Sequence, residues 1–168
     1  MMSSWDCGKA EVCAWIREHF APDAFILDVG ACDGKWRRLL PEYQNMDAVE
    51  AFAPHCEKIA GMYRTVYNAD ATRFVYSQYD LIIFGDVIEH MSVPDAQKVL
   101  QYARPRCRDL IVGVPYLYPQ AAFGGNPWEE HKQPDLTAEI FAERYPELEV
   151  LVRPVDNYCY YHKAGGGG

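Results

Sequence analysis

The feature that most constrains the fold is the alternation of strand-like and helix-like patterns, which repeats about five times along the chain. The clearest strand pattern spans residues 79–86, where Leu81, Ile82, Ile83 and Phe84 are apolar without interruption. Such a run is typical of a strand buried on both faces of a parallel sheet, so we expect it at the sheet centre. Alternating strands and helices with right-handed crossovers indicate a doubly wound α/β fold.

The other elements are predicted from apolar periodicity and from the prolines and glycines that end each segment. The predicted strands are 25–30, 46–50, 65–68, 79–86 and 109–114, and the predicted helices are 7–20, 34–40, 54–62, 94–103 and 136–145. Two last strands, 148–153 and 157–162, predict an antiparallel hairpin at the sheet edge because their connection is short. The sequence thus predicts a mostly parallel, seven-stranded sheet with an antiparallel C-terminal strand pair.

The length of 168 residues suits one domain with a single core. Hydrophobic residues make up 49% of the chain, which is enough to bury a core and is unlike a disordered composition. We expect one domain over residues 1–164 and a flexible glycine tail over 165–168. A monomer and a homodimer are both compatible with this composition.

The charge balance argues against nucleic acid and anionic membranes as partners. The chain has 16 Lys and Arg against 24 Asp and Glu, which gives a formal net charge of −8. Such a field repels phosphate backbones and anionic lipid. The two basic clusters, 35–38 and 104–108, are short, and the longest apolar run is far below the roughly 20 residues that span a bilayer.

The six cysteines are scattered and indicate a reducing compartment. They form no Cys-x-x-Cys pair and no Cys/His cluster at zinc spacing, and no secretory signal precedes them. We therefore expect free thiols, a cytoplasmic location and no metal site.

A glycine-containing turn follows the first predicted strand, over residues 28–34. It does not fit a P-loop, because Gly30 and Gly34 are one residue too close and Trp36 replaces the required hydroxyl residue. It also departs from a dinucleotide fingerprint, because Cys32 replaces the second glycine. Asp33 would add negative charge beside a pyrophosphate. The turn therefore favours a cationic ligand over an anionic one.

S-adenosylmethionine is a cationic ligand of this kind, and two motifs resemble a family that uses it. Residues 28–34, Asp-Val-Gly-Ala-Cys-Asp-Gly, resemble the Asp-x-Gly-x-Gly-x-Gly loop of class I S-adenosylmethionine-dependent methyltransferases. Residues 79–90 end in Glu-His and resemble the fourth strand and following loop of that family, especially its small-molecule branch. The resemblance covers residues 5–162, and Cys32 departs from it by replacing a glycine.

The resemblance implies a Rossmann-like methyltransferase fold with S-adenosylmethionine at the carboxyl ends of the strands. Asp28 would help to hold the methionine end of the cofactor. The alternative is a purely structural role, in which Asp28 accepts hydrogen bonds from the amides of the turn. Glu50 ends the second strand, where a carboxylate can accept both ribose hydroxyls. Asp70 would accept from the adenine amino group. The expected cofactor-binding residues are Asp28, Gly30, Cys32, Gly34, Glu50, Ala51, Phe52, Asp70, Ala71, Asp86 and Val87.

Catalysis is less well specified by the sequence. Methyl transfer is an in-line displacement, so positioning the acceptor and excluding water can supply most of the rate. If the acceptor is a hydroxyl, His90 or His131 could accept its proton. His131 lies in a long loop, 116–134, whose aromatic residues Tyr116, Tyr118, Phe123 and Trp128 could contact a small or exposed acceptor.

Two other functions remain open at this stage. A methyltransferase-like fold could bind cofactor or a partner without turnover, because fold does not decide function. An NAD-dependent oxidoreductase would share Gly30, Gly34 and Glu50, but the third glycine and a Tyr-x-x-x-Lys pair are missing. Methyl transfer from S-adenosylmethionine to a small molecule is therefore the leading hypothesis.

Overall fold

The computed structural model of the protein describes residues 6–163, so the glycine tail predicted at 165–168 lies outside the described residues. The helices are α1 (Lys9–His19), α2 (Lys35–Leu39), α3 (Ala53–Ile59), α4 (Val93–Ala103) and α5 (Ala138–Arg144). The strands are β1 (Ile26–Val29), β2 (Met46–Glu50), β3 (Thr65–Asn68), β4 (Tyr79–Gly85), β5 (Cys107–Pro115), β6 (Leu148–Val155) and β7 (Tyr158–Lys163). Within this part of the chain, no helix has both the length and the apolar character needed to cross a bilayer.

The seven strands form a single sheet in the order β3-β2-β1-β4-β5-β7-β6. The first five are parallel, and β7 runs antiparallel to both β5 and β6. The predicted doubly wound α/β fold and the central place of β4 are both confirmed. Strand order reverses between β1 and β4, which is where ligands bind in open α/β sheets.

Helices cover both faces of the sheet, which explains why its central strands are apolar throughout. On one face, Leu27 of β1 and Phe84 of β4 join a core that α4 and α5 complete. On the other face, Ile26 and Ile83 pack with residues of α1, α2 and α3. Because successive side chains point to opposite faces, a strand between two helical layers needs apolar residues at every position.

The C-terminal strand pair forms as predicted, and its order within the sheet explains its sequence. β7 lies between β5 and β6, so β6 is the edge strand. The first four residues of β7 are buried, whereas β6 is largely exposed. This arrangement brings Tyr158 of β7 opposite Pro115, at the carboxyl end of β5.

A partly buried polar cluster joins β2, the start of β4 and the residue before β3, at the amino-terminal ends of the strands. The Asp47 carboxylate in β2 accepts hydrogen bonds from Arg64 Nε at 2.9 Å and Arg64 Nη2 at 2.5 Å. It also accepts one from the Tyr79 hydroxyl at 2.9 Å. Burial alone would raise the pKa of Asp47, but the hydrogen bonds from Arg64 and Tyr79 outweigh it and lower the pKa below its ordinary value.

This cluster makes stability depend on acid pH. Because the pKa of Asp47 is lower in the folded state, its contribution is present above about pH 4 and is lost as the pH falls further. We expect Asp47→Asn to lower the free energy of unfolding at pH 7 by about 1–3 kcal/mol and to flatten the loss of stability below pH 4. Urea unfolding at several pH values measures both effects.

Asp23→Asn, which changes an exposed aspartate, is the matched control. It should leave the stability and its acid dependence unchanged. Equal acid sensitivity in Asp47→Asn and the wild type would show that other groups control acid unfolding.

Candidate functional site

A cleft of about 490 Å³ opens at the carboxyl ends of β1, β2 and β4, where the strand order reverses. This volume is in the range of small-molecule sites. Of the thirteen cofactor-binding and catalytic residues predicted from sequence, ten line it: Gly30, Cys32, Glu50, Ala51, Asp70, Ala71, Asp86, Val87, His90 and His131. The fold therefore brings most of the predicted positions to one cleft, although they come from separate segments of the chain.

Gly30 allows the turn after β1 to approach the segment after β4. Its φ of +72° is in the left-handed region, and a Cβ there would lie 2.4 Å from Val87 Cγ2. At that distance the Cβ would collide with the side chain of Val87, which is itself buried in the core. Only glycine meets both requirements, so the floor of the cleft depends on this residue.

Cys32 lines the cleft from a strained backbone position. Its φ is +48°, a conformation that glycine adopts readily and that residues with a Cβ adopt at a cost of about 1 kcal/mol. Burial raises the pKa of its thiol to about 12, with Glu50 and Asp33 adding to the shift. The thiol is therefore neutral at physiological pH and adds no charge to the cleft.

Glu50 connects two turns at the base of the cleft. One carboxylate oxygen accepts the Cys32 amide at 2.9 Å, and the other accepts the Phe52 amide at 2.8 Å. His55 Nδ1 lies 3.8 Å from the same group. A carboxylate has about four lone-pair sites, so Glu50 retains acceptor capacity towards the cleft.

Three predicted cofactor residues do not line the cleft. Asp28 is buried beneath it and accepts the Tyr63 hydroxyl at 2.5 Å, and burial raises its pKa to about 7. Gly34 precedes α2 with a φ of +76°, facing Met62. The Phe52 ring packs edge-on against His55 at 5.0 Å. These residues shape the turns around the cleft.

Asp70 and Ala71 form the wall after β3. Asp70 Oδ1 accepts the Thr72 amide at 2.8 Å, which fixes the turn. Asp70 and Ala71 both line the cleft, beside Ala69 and Thr72. This wall thus presents a carboxylate and a small buried residue to the cleft.

Asp86 follows β4 with a φ of +57°, another left-handed position for a residue that has a side chain. The Tyr158 hydroxyl donates to its Oδ1 at 2.7 Å, and Lys9 Nζ lies 4.0 Å from its Oδ2. Burial lowers the pKa of Lys9, although Asp86 acts in the opposite direction. The sequence does not identify Lys9 or Tyr158 as a site residue. Helix periodicity places Lys9 in α1 but does not indicate that its side chain is buried.

The far end of the cleft holds a pair of histidines beside a buried carboxyl group. The His90 and His131 rings meet edge-to-face with centroids 4.5 Å apart. Burial, with the neighbouring His131, lowers the pKa of His90 to about 4, and burial also lowers that of His131. Burial and then Asp86 raise the pKa of Glu89 well above its ordinary value. Sequence reasoning did not identify Glu89 as a site residue.

Gln133 fixes the long loop against the turn after β4. Its side-chain amide donates to the Ile88 carbonyl at 2.8 Å and accepts from the Tyr145 hydroxyl at 2.9 Å. The backbone amide of Gln133 donates to the Glu89 carbonyl at 3.1 Å. The sequence contains no signal for this contact, because it joins segments that are far apart in the chain.

The aromatic residues of the loop have different roles. Tyr118 and Trp128 line the cleft. Tyr116 is buried and shares a hydrogen bond with Tyr161, so it anchors the loop. Phe123 is exposed and lies outside the cleft. The loop also extends to Glu129, which lines the cleft with Gln120 and Asn126.

Acidic side chains dominate the lining. The carboxyl groups are those of Glu50, Asp70, Asp86, Glu89, Asp95 and Glu129, against one lysine, Lys132, and three histidines. Two of those histidines have lowered pKa values and are neutral at pH 7. Burial raises the pKa of Glu89 and of Glu129, so these two add less negative charge than the other four carboxyl groups. The lining as a whole still favours cationic over anionic ligands.

Solved methyltransferase structures are similar to this chain. An S-adenosylmethionine-dependent methyltransferase from Clostridium acetobutylicum matches with a TM-score of 0.71 and 12% identity, over 98% of this chain and 93% of that one. DhpI in complex with S-adenosylhomocysteine matches with a TM-score of 0.70 and 15% identity, over 94% and 85%. The mitomycin 7-O-methyltransferase MmcR matches with a TM-score of 0.63 and 12% identity, over 91% and 53%.

The chain spans about half the length of MmcR. No family model matches the chain, and no curated protein matches it in sequence. The similarity is therefore one of three-dimensional structure, and it agrees with the resemblance of residues 28–34 and 79–90. The chain has the fold of the class I S-adenosylmethionine-dependent methyltransferases.

Proposed function

We propose that this protein transfers the methyl group of S-adenosylmethionine to a small-molecule acceptor. The observation that carries the proposal is Glu50 at the base of a cleft formed by the carboxyl ends of β1, β2 and β4. A carboxylate at the end of the second strand can accept both ribose hydroxyls of a nucleoside. The acidic lining favours a sulfonium and an ammonium group over a pyrophosphate.

The cofactor occupies the half of the cleft between Gly30 and Asp70. Its ribose lies against Glu50, and its adenine lies beside Ala51 and Ala71 with the amino group near Asp70. The methionine end runs past Gly30 towards Asp86. In this arrangement, Asp28, Gly34 and Phe52 act through the shape of the turns, since none of them lines the cleft.

The acceptor occupies the half of the cleft beneath the loop at 116–134. Tyr118 and Trp128 provide apolar contact area there, and His90 and His131 lie beside it. Both imidazoles are neutral at physiological pH, so they can assist the loss of a proton from a hydroxyl acceptor. The loop covers this half of the cleft and limits the access of water to the reacting groups.

The first test is binding of S-adenosylhomocysteine by isothermal titration calorimetry. We expect the wild type to bind it and not NADH. Glu50→Gln keeps the shape of the side chain but removes its charge, so it should weaken binding by about 10- to 100-fold.

Glu57→Gln, on the exposed side of α3, is the matched control and should bind like the wild type. Preferential binding of NADH would contradict the proposal. So would an unchanged affinity in Glu50→Gln.

A second test concerns the cysteine in the glycine turn. Cys32→Gly relieves the left-handed strain but adds backbone entropy to the unfolded chain, and each effect is roughly 1 kcal/mol. We expect stability and S-adenosylhomocysteine affinity close to those of the wild type. Cys32→Val places a β-branched residue at the same φ and should weaken both.

Thermal unfolding and calorimetry on the two variants provide the measurement. An affinity gain of about tenfold or more in Cys32→Gly would show that the thiol obstructs the cofactor, contrary to the binding arrangement described above.

A further inference from the structure

Three potential metal ligands meet at the acceptor end of the cleft. Glu89, His90 and His131 each offer one ligand atom, and these atoms lie within 4.8 Å of one another. All three residues line the cleft, so an ion between them would face its interior. They come from the turn after β4 and from the long loop, which is why no metal-binding spacing is visible in the sequence.

The burial of the Glu89 carboxylate is independent evidence that this group has a binding partner outside the protein chain. The Glu89 side chain is 1% exposed, and among residues 6–163 no group forms a hydrogen bond with either carboxylate oxygen. Asp86 Oδ2 likewise has no hydrogen bond within the described residues, but Lys9 Nζ lies 4.0 Å from it and provides a cation. Buried carboxyl groups in proteins are hydrogen-bonded, paired with a cation or bound to a metal, because leaving them alone costs several kcal/mol.

The two histidines have the hydrogen bonds of metal ligands. His131 Nδ1 lies 2.6 Å from the Tyr118 carbonyl oxygen, and His90 Nδ1 lies 3.3 Å from that of Glu130. A carbonyl oxygen can only accept a hydrogen bond, so each Nδ1 carries the proton and donates it in the bond, and each Nε2 has a free lone pair. Metal-bound histidines usually donate their second ring N–H to a backbone carbonyl in this way.

The backbone holds the two ligand segments together. The Glu89 carbonyl accepts the amides of Lys132 at 2.8 Å and Gln133 at 3.1 Å, and the His131 amide donates to the Gln120 carbonyl at 2.9 Å. Metal–ligand bonds of about 2.1 Å place neighbouring ligand atoms roughly 3.0–3.5 Å apart. The three groups therefore need to contract by about 1 Å around an ion.

We propose that Glu89, His90 and His131 bind a divalent transition-metal cation at the acceptor end of the cleft. Two imidazoles and one carboxylate suit Zn²⁺, Fe²⁺, Co²⁺ or Ni²⁺, whereas Mg²⁺ prefers oxygen ligands and retained waters. Three protein ligands leave coordination positions open towards the cleft.

The catalytic role of this ion rests on the proposed methyl transfer, whereas its binding does not. With the ion bound, His90 and His131 are its ligands, and the ion replaces them in promoting the loss of the acceptor's proton. The ion lowers the pKa of an acceptor hydroxyl that occupies an open position. The O–H bond breaks as the proton passes to water, and the oxygen forms a bond to the methyl carbon. The S–CH₃ bond breaks with its electron pair kept by sulfur, which yields S-adenosylhomocysteine. We therefore expect the methyl acceptor to be a hydroxyl compound that can bind a metal ion.

The test uses purified protein freed of metal by a chelator and titrated with Co²⁺. We expect one Co²⁺ per chain and visible absorption bands typical of nitrogen and oxygen ligands. Glu89→Gln and His131→Ala should each weaken binding by more than the 10- to 100-fold loss that removal of an outer-shell partner causes. His19→Ala, an exposed histidine on α1, is the control and should bind like the wild type.

Nitrogen NMR of the wild type with Zn²⁺ tests the same site without substitution, in case a variant does not fold. The Nε2 signals of two of the five histidines, His90 and His131, should shift while their Nδ1 atoms stay protonated. Acetohydroxamate, a small chelator, should then alter the Co²⁺ spectrum if open positions face the cleft. An unaltered spectrum would overturn the catalytic role.

S-adenosylhomocysteine binding is measured on the same samples, which separates the two proposals. Absence of Co²⁺ binding, or equal binding in the variants and the wild type, would overturn the metal site even where S-adenosylhomocysteine binds. Binding of Co²⁺ without S-adenosylhomocysteine would instead overturn the proposed function and leave the metal site standing.

Discussion

The carboxylate of Glu50 is the contact on which the cofactor half of the cleft depends. By accepting the amides of Cys32 and Phe52, it ties the turn after β1 to the turn after β2. Gly30 brings the first of these turns against Val87, at the end of β4. Three strand ends are thereby fixed around one space, and the acidic group that defines that space also faces it. The same charge that organises the turns would attract a cationic nucleoside.

The acceptor half depends on a different kind of contact. Here the long loop is held by backbone bonds to Glu89 and by the Gln133 side chain, so it covers the turn after β4. Such contacts fix the position of His131 beside His90, and they leave the Glu89 carboxyl group buried with no hydrogen bond from the part of the chain that the structure describes. Metal binding would use the Glu89 carboxylate and the imidazoles of His90 and His131, and methyl transfer would take place beside the same groups.

The fold was predictable from sequence because its signals are local. An uninterrupted apolar run at 79–86 indicates a strand between two helical layers, and a short connection after β6 indicates a hairpin. Cleft positions were predictable where they follow a strand, as Gly30, Glu50 and Asp86 do. The roles of Asp28 and Phe52 were harder to predict, because the burial of a side chain just before or after a turn depends on tertiary packing. Gln133 and Lys9 gave no signal, since each acts through a contact between distant segments. Glu89 belongs to the Glu-His ending of residues 79–90, but the sequence does not indicate that it lies beside His131.

The most direct test of this account is a crystal structure of the protein with S-adenosylhomocysteine. We expect the ribose hydroxyls on the Glu50 carboxylate, the adenine amino group near Asp70, and the sulfur directed towards the space between His90 and His131. A nucleoside bound elsewhere, or a cleft closed by the Cys32 side chain, would contradict it.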